Sequence, residues 1–85
     1  MLTLTHIDPA RNMSRYYTID LQDGLLGTVD VIVTNGRIGT SGTKPRTRSF
    51  DTLDDAASYI ARLLKQKHSR GYQEQSRQNA AGPEN

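Results

Sequence analysis

The sequence has no cysteine and no tryptophan, and its aromatic residues are four Tyr and one Phe in 85 positions. Without Cys there is no disulfide, thiolate nucleophile, zinc finger or iron–sulfur cluster. Small secreted domains usually depend on disulfide staples, so this absence points to a reducing compartment. The N-terminus, Met1-Leu2-Thr3-Leu4-Thr5-His6, lacks the basic start and long apolar run of a signal peptide. No stretch approaches the roughly 18 apolar residues of a membrane span. The expected setting is the cytoplasm, without membrane attachment. The length allows one small domain and excludes a two-domain enzyme with a large substrate cavity.

Apolar residues make up 34% of the chain, and from Gln73 to Asn85 only Ala80 and Ala81 are apolar. The expected division is a folded body over 1–72 and a disordered tail over 73–85. Charge is also uneven. Residues 1–36 sum to −2, residues 37–72 to +5 and the remainder to −1. Two blocks are purely basic, Arg37 to Arg48 and Arg62 to Arg70. Brought together, they would make a phosphate-sized electrostatic footprint; held apart, they would be solvated faces and helix-end lysines answering the macrodipole.

Period-two alternation predicts strands over Leu2–Ile7, Arg15–Gln22 and Thr28–Thr34, with a fourth over Arg46–Phe50. In that last strand Phe50 shares parity with Arg46 and Arg48, which a bulge or an early strand end would resolve. Asp8-Pro9-Ala10-Arg11-Asn12 reads as a turn, and Asn35-Gly36 as a second turn because both residues tolerate positive φ. Thr52-Leu53-Asp54-Asp55 fits a capping box, and Leu53, Ala56, Ala57, Ile60, Ala61 and Leu64 follow at helical spacing. Gly71 is the expected helix-ending residue. The fold class is α+β: a small antiparallel sheet packed against one amphipathic helix. The uncovered sheet face would carry Tyr16, Thr18, Asp20, Asp30 and Thr34. A monomer is expected.

Nothing in the residue pattern points to catalysis. His6 and His68 are far apart and lack acid or Cys companions, so neither a metal site nor a nucleophile–base pair is expected. No Gly-x-Ser-x-Gly motif is present, and the glycine spacing before Lys44 fails the phosphate-loop pattern. Gly36-Arg37-Ile38-Gly39 matches the Gly-x-x-Gly clamp of KH domains, but a strand precedes it where that fold has a helix. Asn35, Gly36 and Arg37 remain as a candidate phosphate-contacting element, since glycine permits close backbone approach and arginine offers a planar donor fork. The same residues also read as a hairpin turn with an exposed arginine.

The chain as a whole resembles a WGR domain, the small module of DNA-dependent poly(ADP-ribose) polymerases and of bacterial proteins that carry it alone or fused. The resemblance rests on the Asp8–Asn12 turn, Arg15-Tyr16-Tyr17 opening a strand, and Gly36-Arg37-Ile38-Gly39-Thr40 followed by Gly42. Further on come Phe50 before the helix, the Ala56–Ala57 pair on it, and the Lys67-His68-Ser69-Arg70-Gly71-Tyr72 close. The motif tryptophan is replaced by Asn35. The resemblance implies that Gly36 and Arg37 inherit a DNA-backbone role, with end recognition by the tryptophan lost. Aromatic stacking is worth roughly 1–3 kcal/mol per base, and Asn35 cannot supply it.

Two functions follow as expectations. One is a non-enzymatic, cofactor-free nucleic-acid module that contacts DNA, including ends or nicks, through Asn35, Gly36, Arg37, Lys44, Arg46, Arg48, Lys65, Lys67 and Arg70. The other is a protein-interaction or regulatory adaptor in which the loop around Arg37 docks a protein carboxylate.

Overall fold

The computed structural model describes residues 1–75. Among these, five strands form one antiparallel sheet, a single α-helix crosses one of its faces, and a short 3-10 turn over Pro9–Arg11 joins the first two strands. The strands are β1 (Leu2–Asp8), β2 (Met13–Asp23), β3 (Val29–Arg37), β4 (Arg46–Phe50) and β5 (Gln73–Glu74), in the spatial order β4-β3-β2-β1-β5. The helix, α1, spans Leu53–Ser69. The α+β class expected from the alternation pattern is the one found.

Register explains where the core lies. The pairings Leu2↔Ile19, Ile19↔Val33, Leu4↔Tyr17 and Leu21↔Val31 align the apolar positions of β1, β2 and β3 on one face. Leu4, Tyr17, Ile19, Val31, Val33 and Ala56 are buried there, with Phe50, Tyr59, Ile60, Leu63 and Leu64 packed around them. The opposite face carries the expected polar set, including the cross-strand pair Thr18↔Thr34. There the Asp30 carboxylate accepts from Ser49 Oγ at 2.6 Å and Thr28 Oγ1 at 3.1 Å, which ties three elements together at the surface.

Both helix ends follow from sequence. Thr52 Oγ1 accepts from the Asp55 amide at 3.1 Å, and two acids follow in the first turn. At the other end the Tyr72 amide donates to the Lys67 carbonyl and the Gly71 amide to the His68 carbonyl, the paired bonds of a Schellman close. Gly71 has φ +98, and a Cβ there would lie 2.8 Å from His6 Cε1. The chain therefore reverses against β1 and continues as β5.

Several expectations are corrected. The sheet-facing helix stripe is the buried Ala56 with the half-buried Tyr59, Ile60, Leu63, Leu64 and Lys67, while Leu53, Ala57 and Ala61 are exposed. Ala57 and Ala61 face solvent, and the larger Tyr59 and Leu63 take the core side instead. Asn35 and Gly36 are not a turn; they lie inside β3, paired with Tyr17 and Tyr16. β4 needs no bulge, because it is an edge strand in regular register with β3. Arg46 and Arg48 share the helix-side face with Phe50, and the Arg48 guanidinium rests 5.0 Å from the Tyr59 ring centre. Gln73 and Glu74, expected in a disordered tail, pair with Thr5 and Leu4. Residues 76–85 of that expected tail lie outside the described residues.

Truncating the fully buried Leu4 to Ala should cost roughly 2–5 kcal/mol of stability, while Leu53→Ala should change it by less than about 0.5 kcal/mol. Urea unfolding followed by circular dichroism measures both; equal losses would contradict the observed helix orientation.

Candidate nucleic-acid interface

The helix-side face does not end where the core ends. One pleat further along, the pairs His6↔Arg15 and Arg15↔Arg37 extend the same face as a basic row. α1 points its C-terminal turn toward this row and supplies Lys67, and the residue after it supplies Arg70. Between them lies an open cleft of about 400 Å³. Arg11, Arg15, Arg46, Lys67 and Arg70 line it, with His6, Tyr17, Tyr72, Asn35 and Met13 completing the wall. Among the described residues no carboxylate lines it. Arg11 has Asp8 at 3.8 Å, but Arg15, Arg46, Lys67 and Arg70 pair with no acid among the described residues.

Two cations are held in place by uncharged groups. Arg46 donates from Nη2 to Asn35 Oδ1 at 2.8 Å and from Nη1 to Thr43 Oγ1 at 3.1 Å. Lys67 carries its ammonium 4.3 Å from the Tyr17 ring centre and 5.6 Å from that of Tyr72. Burial, with the positive charges of Arg70 and Arg46 adding to it, lowers the Lys67 pKa below the usual lysine value. Burial likewise raises the Tyr17 hydroxyl above its ordinary value, although the nearby Arg46 opposes that rise.

The loop after β3 explains the glycines. It folds back onto its own strand: the Thr43 amide donates to the Asn35 carbonyl at 2.8 Å, and Tyr16 OH donates to the Thr40 carbonyl at 3.1 Å. A Cβ on Gly36 would lie 2.6 Å from Gly42 Cα; one on Gly42 would strike the Tyr16 hydroxyl and sit 2.5 Å from the Asn35 carbonyl oxygen. The close approach these glycines permit is between loop and strand.

The residues expected to contact nucleic acid are only partly gathered. Asn35, Arg46, Lys67 and Arg70 line the cleft. Arg37, expected at a hairpin tip, is the last residue of β3; it is exposed, and its Nη1 donates to the Asn12 carbonyl at 3.4 Å. Gly36 lies beside the cleft, within β3. Arg48 lines a second, smaller cleft with Tyr59, Val31 and Val33. Lys44 and Lys65 are exposed and line neither. Sequence reading missed His6, Arg11 and Arg15. The parity of His6 with Leu4 and of Arg15 with Tyr17 was legible, whereas Arg11 lies in the Pro9–Arg11 turn and no alternation marks it. The convergence of all three with α1 required the register.

The geometry is that of a small sheet-and-helix module with a basic cleft at its open end. The chain belongs to the WGR domain family, whose model matches residues 1–79. It is also 38% identical over 71 residues to the uncharacterized protein y4dW of Sinorhizobium fredii (strain NBRC 101917 / NGR234). That match covers 84% of this chain and 34% of the relative, so the chain spans about one third of the length of the protein it resembles. No solved structure matches. Among the described residues no helix is long and apolar enough to cross a membrane, and no group of three or more His, Asp or Glu is arranged to hold a metal ion.

Two outcomes test this geometry. Gly42→Ala should destabilise the chain more than Gly39→Ala. Both positions have positive φ, which costs roughly 1–2 kcal/mol for alanine, but only Gly42 meets other atoms. Lys67 should titrate below an ordinary lysine in an NMR pH series, and Arg70→Gln should move it back upward. A lowered folded pKa means the folded chain binds fewer protons than the unfolded one. Lys67 therefore contributes stability that rises as pH climbs from its folded value toward the ordinary lysine value. Tyr17, raised on folding, contributes the opposite slope above the ordinary tyrosine range.

Proposed function

We propose that this chain is a non-enzymatic nucleic-acid-binding module that grips phosphates with the basic cleft and the row leading to Arg37. The carrying observation is the convergence of Arg15, Arg46, Lys67 and Arg70 on one cleft whose described lining residues include no carboxylate. Backbone contacts of this kind position a strand without reading bases, and counterion release supplies much of the free energy. Binding is therefore sequence-independent and steeply salt-dependent. Membership of the WGR family supports nucleic acid as the ligand class. DNA is the preferred form, with ends and nicks the substrates to compare.

Asn35 changes what the cleft offers. In place of an aromatic platform, its carboxamide oxygen orients Arg46. The balance moves from stacking toward phosphate contact, which weakens discrimination of ends from continuous duplex. The second reading, an adaptor docking an acidic protein segment, draws on the same unpaired cations; the loop near Arg37 would then face a protein carboxylate.

Labelled blunt, nicked and single-stranded DNA titrated at two salt concentrations tests the primary reading. Binding should fall as salt rises, and Arg15→Ala or Arg46→Ala should each reduce the log–log salt slope by roughly 1 while weakening all sequences alike. Arg37→Ala should weaken binding less than either. Asn35→Trp should gain affinity for ends over continuous duplex. Negligible binding to all three substrates at low salt would leave the adaptor reading standing instead.

A further inference from the structure

The cleft gathers several cations within a small volume. A nucleic-acid strand presents one charge per phosphate, spaced roughly 3.4 Å apart along the axis. Arg15, Arg46, Lys67 and Arg70, which pair with no acid among the described residues, come from β2, β4 and the end of α1 and share about 400 Å³, a volume within the usual small-ligand range of roughly 300–1,000 Å³. His6 and Arg11 stand at the same wall. The nearest described acid partner, Asp8, pairs only with Arg11. We infer that the cleft binds a compact polyphosphate, the di- or triphosphate group of a free nucleotide, with Arg46 and Lys67 as its inner contacts.

Three features carry this. Arg46 is preset: Asn35 Oδ1 and Thr43 Oγ1 fix its guanidinium, leaving further N–H donors for an oxyanion and less freedom to lose on binding. Lys67 is crowded by Arg46 and Arg70 and held over the Tyr17 ring, so a dense anion would offset repulsion already present. Among the described residues the lining provides cationic groups and aromatic side chains but no carboxylate to receive a base amino group. Recognition therefore falls on the phosphates and is indifferent to the base. The inference rests on the cleft as the phosphate site of the proposed function, and adds a ligand class that would compete with nucleic acid for it.

Isothermal titration of the full 85-residue chain at low ionic strength without divalent cations tests it, with pyrophosphate, ATP, GTP, AMP and adenosine as probes. Pyrophosphate, ATP and GTP should bind within a few-fold of one another, AMP about tenfold or more weaker, and adenosine not at all. Arg46→Gln and the exposed Arg70→Gln should each weaken pyrophosphate by about tenfold, and Lys65→Gln by less than roughly twofold. Circular dichroism checks that each variant is folded.

The inference is overturned if ATP and pyrophosphate bind no tighter than AMP, or if folded Arg46→Gln and Arg70→Gln bind them unchanged. It is also overturned if a 5′-triphosphorylated oligonucleotide binds while ATP does not, because the source would then be a strand end. Displacement of labelled duplex by ATP separates this inference from the broader reading. Duplex binding that persists with no ATP binding sinks only the nucleotide inference. ATP binding with no duplex binding sinks only the nucleic-acid reading.

Discussion

A single pleated face has to serve as both the floor of the core and the floor of the cleft. Side chains two residues apart along a strand share a face, so Leu2, Leu4 and His6 line up, as do Ile19, Tyr17 and Arg15. α1 covers the apolar rows and ends before the basic one. Sheet rows and helix length together decide where apolar burial gives way to open cationic surface. The remaining features depend on that handover: the Schellman reversal at Gly71, the return strand β5 and the placement of Tyr72.

Lys67 marks the boundary. It belongs by helical spacing to the same stripe as Ala56, Tyr59, Ile60, Leu63 and Leu64, yet it carries charge. Its aliphatic stem extends the apolar stripe while its ammonium meets the faces of Tyr17 and Tyr72. Partial burial beside Arg46 and Arg70 makes this a costly arrangement for a cation. A bound anion offsets that cost, which is the physical link between the fold and the proposed phosphate chemistry.

Asn35 and the glycine loop together set the position of Arg46. Gly36 and Gly42 let the loop press onto β3. That contact sets Thr43 beside Asn35, and together they hold Arg46. The loop thus acts on the cleft through Arg46, an edge-strand residue, while Arg37 remains at the margin. Edge position is what frees Arg46 and Arg48 to stand on the helix side of the sheet, since α1 does not enclose the outermost strand there.

Four strands, the helix, its two caps and the polar outer face could be read from alternation, spacing and end residues, because each depends on neighbours within a few positions. The turn misplaced at Asn35-Gly36 and the tail begun at Gln73 show the limit of such reading. A residue pair that favours turns was drawn into β3 by pairing with Tyr16 and Tyr17, and a polar dipeptide was drawn into the sheet by pairing with β1. Sequence alone determined which residues could be buried and which segments were basic. The tertiary structure decided that His6, Arg11 and Arg15, from the least basic half of the chain, join Arg46, Lys67 and Arg70 at one cleft. That joining rests on strand register and helix direction, which couple residues dozens of positions apart through hydrogen bonds that no local pattern encodes.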